Sequence, residues 1–66
     1  MSIAKVVEIW ADSSDSFEDA VERGIQQAGK TLRNIRGAWI QEQKVDVKDG
    51  RIVQYRVNLK LTFVLD

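Results

Sequence analysis

The sequence has no cysteine, no histidine and no proline, and only four glycines. Each absence removes a class of chemistry. Without cysteine there is no disulfide and no thiolate nucleophile. Without histidine the usual zinc ligand sets and the commonest general acid–base group are gone. No run of about 18 apolar residues occurs, so no membrane span is expected. Charge of one sign is not in excess either: ten basic and ten acidic residues give a formal net charge of zero. Nucleic-acid binders carry a basic surplus, so a polynucleotide partner is disfavoured. Residues 1–7 hold one lysine and no apolar core of a secretory leader, and the chain is expected to be cytoplasmic.

The chemistry-bearing residues that remain form no catalytic pattern. Ser13, Ser14 and Ser16 stand in a turn and read as helix caps, not nucleophiles. The glycines at 24, 29, 37 and 50 fit neither the dinucleotide nor the nucleoside-triphosphate spacing. Glu42, Asp46 and Asp49 carry oxygen ligands, but their order is not that of a calcium loop, and they read as a solvated hairpin end. The expectation is a protein that is not an enzyme and has no metal site.

What is present is one domain of 66 residues, spanning 1–66. A chain this short buries about 60% of the surface its unfolded form exposes and is marginal alone. With disulfides and zinc removed, association with copies of itself is the remaining source of stability. Ile3 to Trp10 is rich in β-branched residues and reads as a strand. Ile3, Lys5, Val7 and Ile9 point one way, and Ala4, Val6, Glu8 and Trp10 the other. The segment 11–16 supplies turn and capping oxygens, with Ser14 the expected N-cap. Phe17, Ala20, Val21, Gly24, Ala28 and Leu32 recur at spacings of three and four, which predicts an amphipathic helix over 15–33. Gly24 in mid-helix costs about 1 kcal/mol relative to alanine, and close packing on a strand is its expected reason.

Two strands follow, over 36–48 and 51–65, joined by an Asp49-Gly50 hairpin signal. On the last strand Val53, Tyr55, Val57, Leu59, Leu61, Phe63 and Leu65 face one way. Gln54, Arg56, Asn58, Lys60 and Thr62 face the other. On the second, Gly37, Trp39, Gln41 and Gln43 are expected to share a face. The fold class is α+β, a β-α-β-β subunit with a three-stranded antiparallel sheet around one helix. One helix covers one sheet face. The other face, with Trp10 and Trp39, and the sheet edges stay open for other subunits. Both tryptophans are read first as interface packing, with a stacking platform for a flat heteroaromatic ligand as the alternative.

In order, spacing and length, the segments Lys5-Val6-Val7-Glu8-Ile9, Ser13-Ser14-x-Ser16-Phe17-Glu18-x-Ala20, Lys30-Thr31-Leu32-Arg33-Asn34-Ile35-Arg36, Glu42-Gln43, Asp49-Gly50-Arg51 and Tyr55-x-Val57-x-Leu59-Lys60-x-x-Phe63 resemble the dodecin family. The resemblance implies a hollow homo-dodecamer that binds and stores a small-molecule ligand, riboflavin or FMN, without turnover. It also implies flavins stacked in pairs between tryptophans of neighbouring subunits, with a glutamine of the last strand on the isoalloxazine edge.

Two positions depart from that pattern. Gly37 stands where the family has its tryptophan, and Arg56 where it has its glutamine. Gly37 cannot stack, and Arg56 offers donors only, whereas glutamine offers a donor and an acceptor. Trp39 lies on the same strand, about 6.6 Å from Gly37. It is either a displaced platform or a plug, and the displacement favours the plug. Gly37, Trp39, Gln41 and Arg56 are the candidate cofactor-binding residues. The alternative function is a dodecin-like shell that has lost flavin and takes another small ligand or ion, or is only a scaffold.

Overall fold

The structure, a computed structural model, describes residues 3–65. Its elements run β1 (Ile3–Ser13), α1 (Phe17–Ala28), β2 (Ile35–Lys48) and β3 (Arg51–Leu65). The long hairpin of β2 and β3 draws the subunit out to 52 × 19 × 13 Å. Asp49 and Gly50 both have positive φ, 53° and 75°, and so form the two-residue turn whose twist matches the strands it joins. β3 is the central strand, in the order β1-β3-β2, with both neighbours antiparallel. Its pairing with β1 is unbroken from Ile3 opposite Leu65 to Ser13 opposite Tyr55.

That pairing moves the start of the helix. Because β1 continues to Ser13, the chain turns later than the expected cap at Ser14. Ser16 is the N-cap, with extended backbone and its hydroxyl accepting from the Asp19 N–H at 2.9 Å. Ser13 supports the turn by accepting from the Asp15 N–H at 2.9 Å and donating to Asp19 Oδ2 at 2.6 Å. Arg23 reaches the same oxygen at 2.7 Å, one turn along. The Ser13 hydroxyl first, and then Arg23, hold the Asp19 carboxyl below its ordinary value.

The helix also ends earlier than the apolar stripe implies, at Ala28 instead of 33. Lys30 and Thr31 bond back to carbonyls three residues before them, and the chain tightens out of the α-helix. Asn34, with φ of 60°, completes the reversal into β2. Lys30 and Arg33 therefore lie beyond the last turn, which holds no basic residue. Twelve residues make a helix of about 18 Å, too short to cover the sheet. It packs on β1 and β3 instead of covering a whole face. An apolar groove of about 430 Å³ is left beside β2, with Phe17, Val21, Ile40 and Val57 among its lining.

Ala20, Val57, Leu59 and Leu61 are fully buried and form the core. Ile9, Ala11, Phe17, Val21, Ile25, Ala28 and Ile35 surround it. Gly24 has the expected close contact: a Cβ there would lie 2.9 Å from the Ala11 Cβ and 3.2 Å from Leu59 Cδ1. Register shifts fall between Ile35 and Gly37 and between Ile40 and Glu42 on β2, and between Asp46 and Val47 opposite β3. The second makes Gln41 an extra residue. Glu42 then stands opposite Asn58, and Gln43 stands opposite Val57 and lines the helix-side groove. The expected sharing of one face by Gln41 and Gln43 is thus corrected, since one inserted residue reverses the alternation beyond it.

Gly24→Val forces side chains apart in a filled contact and is expected to cost about 2–3 kcal/mol, read as a lowered denaturant midpoint. A midpoint at or above that of the unaltered protein refutes the contact. The depressed Asp19 pKa makes a second prediction, of opposite sign to that of a raised one. Its stabilising contribution is complete above the ordinary value of 3.8 and is lost as the pH falls through the lower folded-state value. The difference in thermal midpoint between the unaltered protein and Asp19→Asn should therefore shrink below pH 3.8, and a constant difference speaks against this.

Candidate ligand site on the open sheet face

The sheet face away from the helix is built in rungs across three strands. Thr62 stands between Val6 and Gly37, and Lys60 between Glu8 and Trp39. Asn58 stands between Trp10 and Glu42, and Arg56 between Asp12 and Lys44. Trp10 and Trp39 are 55% and 66% exposed in the single subunit, so neither plugs a cavity of its own chain. Trp39, Ile40, Gln41 and Lys60 line a shallow groove of about 340 Å³.

Of the four candidate residues, the structure brings Trp39 and Gln41 together in that groove. Gly37 lies one rung further, where Thr62 donates its hydroxyl to the Gly37 carbonyl at 3.3 Å. A Cβ on Gly37 would come within 3.1 Å of that hydroxyl, so Thr62 occupies part of the space next to the missing side chain. Arg56 is set apart. It lies four residues along β3 from Lys60, about 13 Å away, and does not line the groove.

Arg56 is engaged within the subunit. Its Nε donates to Asp46 Oδ2 at 2.8 Å, and its Nη1 to Asp12 Oδ2 at 3.1 Å. The register puts one carboxylate of each edge strand in reach, Asp12 directly opposite on β1 and Asp46 two residues along β2 from the facing Lys44. The hydrogen bond and charge of Asp46, followed by the charge of Asp12, raise the guanidinium pKa above its ordinary value. Arg56 stays charged and links the central strand to both edges. All three side chains are partly exposed, so the clamp is a screened one.

Asn58 and Glu8 join the site unforeseen. Asn58 is 1% exposed although it belongs to the polar face. Its Nδ2 donates to Glu8 Oε2 at 3.1 Å, and its Oδ1 accepts from Gln41 Nε2 at 2.5 Å. The alternation of β3 marks Asn58 as polar, but nothing in the sequence sets it apart from Gln54 or Thr62. The bulge that makes Gln41 an extra residue beside it is equally invisible. Among the described residues no three acidic, histidine or cysteine side chains cluster in a way that could hold a metal ion. Among them, too, no helix is long and apolar enough to cross a membrane.

The fold and face define a small β-α-β-β protein with an open, tryptophan-bearing sheet face, and comparison with known proteins gives the family. The family model described as Dodecin matches residues 3–66, and the chain belongs to the dodecin family. The chain is 33% identical to the calcium dodecin of Mycobacterium tuberculosis over 63 residues, covering 96% of this chain and 89% of that one. The solved dodecin of Streptomyces coelicolor superposes with a TM-score of 0.94 at 28% identity, covering 98% of this chain and 93% of its own. The solved M. tuberculosis protein, described as calcium chelating with a novel calcium-binding site, gives a TM-score of 0.84 at 33% identity, with coverage of 98% and 93%.

Proposed function

We propose that this dodecin is a non-enzymatic small-ligand store, assembled from copies of itself into a dodecameric shell, and that its ligand is a flat heteroaromatic molecule of the flavin class, riboflavin or FMN. The observation that carries this reading is the exposed Trp39 indole beside Gln41 and Lys60 in a groove on the open face. An indole offers a stacking plane, and the Gln41 amide, whose nitrogen donates to Asn58, keeps its carbonyl oxygen as an acceptor for a pyrimidine edge. Arg56 takes no part in it, because it does not line the groove and its Nε and Nη1 are turned to Asp46 and Asp12. The groove is shallow in one subunit, and a neighbouring copy supplies its other wall.

Calcium is the second reading, favoured by the calcium dodecin of M. tuberculosis. On this chain the carboxylates of Asp12 and Asp46 are paired with Arg56, and no described cluster suits a metal. A calcium site would therefore draw ligands from more than one copy.

Titration of riboflavin and FMN into protein of verified assembly size, followed by quenching of flavin fluorescence, tests the proposal. Saturable quenching near one ligand per subunit is expected, and Trp39→Ala should weaken it by about 1–3 kcal/mol, the worth of one stacked ring. No quenching by an intact large assembly rejects the flavin ligand, and calcium calorimetry then decides the second reading. Gly37→Trp combined with Arg56→Gln returns the family's residues to both departed positions and should tighten flavin binding by at least about tenfold, provided Thr62 yields. An unchanged affinity in that double variant means that the family position is no longer part of the site.

A further inference from the structure

The open face contains a polar chain, Glu8, Asn58 and Gln41, with one member from each strand and only its middle member, Asn58, buried. Its first member is a carboxylate, which only accepts hydrogen bonds. Asn58 must therefore turn its NH₂ toward Glu8, and this leaves its carbonyl oxygen facing the other way. Gln41 must then meet that oxygen with its own NH₂. One charge at the edge of β1 so dictates the orientation of two amides, across the sheet to β2. Asn58 is 1% exposed, so its own amide has these two side chains, not water, as partners, although Glu8 and Gln41 are themselves exposed.

The consequence lies at the far end. With its NH₂ held by Asn58, Gln41 has its carbonyl oxygen left for the groove it lines with Trp39 and Lys60. We propose that Glu8, acting through Asn58, is a positioning residue that fixes Gln41 with its oxygen toward the ligand, so that the site selects a planar ligand presenting an N–H donor at its edge. The ligand part of this inference rests on the flavin-class reading above; the orientation of Gln41 does not.

The test therefore has two readouts. The side-chain amide signals of Gln41 and Asn58 in a ¹H–¹⁵N spectrum report the chain of bonds without any ligand. Glu8→Gln removes the acceptor-only end, and Glu8→Lys replaces it with a donor that reverses the order. Glu8 is exposed, so both variants should fold. In both, the Gln41 amide signals are expected to shift although Gln41 is not in contact with the altered residue. Riboflavin affinity should fall about two- to threefold in Glu8→Gln and about tenfold in Glu8→Lys, as mispairing one hydrogen bond implies. Unmoved Gln41 signals in both variants overturn the proposal, and so does riboflavin affinity that is unchanged in both. If the unaltered protein binds no riboflavin but the Gln41 signals move, the flavin reading fails and the orienting role of Glu8 stands.

Discussion

The helix lies against the sheet where Gly24 has no side chain, and a single added carbon there would meet Ala11 on β1 and Leu59 on β3. That close approach seats Ala20 against Val57, Leu59 and Leu61 and excludes water from the core. It also fixes what the helix cannot reach. A twelve-residue helix drawn tightly onto β1 and β3 leaves β2 flanked by an apolar groove and the opposite face without cover. The incompleteness of the subunit thus follows from the tightness of its one good contact. A chain of this length has no second layer of its own to offer.

The open face mixes exposed tryptophans with polar side chains, and the order of its polar part comes from the central strand. Arg56 and Asn58, two residues apart on β3, each bond to both neighbours. The two differ in physical character. Arg56 and its aspartates are partly exposed, and their attraction is weakened by solvent. Asn58 is buried and satisfied on both sides, and loss of either partner would leave a polar group unpaired away from water. The first is a charge clamp across the sheet, and the second imposes direction.

Gly37 and Arg56 are each accommodated by contacts within the fold. The space beside Gly37 is shared by the Thr62 hydroxyl, and the charge of Arg56 is balanced by Asp12 and Asp46. The two edge strands supply one aspartate each. Further along β2 the indole of Trp39 lies next to the amide of Gln41, which is itself the inserted residue.

Much of this was legible in the sequence by itself. The order of elements, the faces of β1 and β3, the Asp49-Gly50 turn and the close contact at Gly24 all follow from local periodicity and from residues whose backbone freedom is particular to them. The family was legible in the order and spacing of short segments. The tertiary structure alone decided the rest. Ser14 and Ser16 are equivalent as caps until the pairing of Ser13 with Tyr55 delays the turn. An apolar stripe running to Leu32 looks helical until the backbone tightens at Ala28. The partners of Arg56, the burial of Asn58 and the reversal of faces beyond Gln41 depend on cross-strand register. Register is a long-range property, set by how three strands slide to satisfy one core, and no local pattern encodes it.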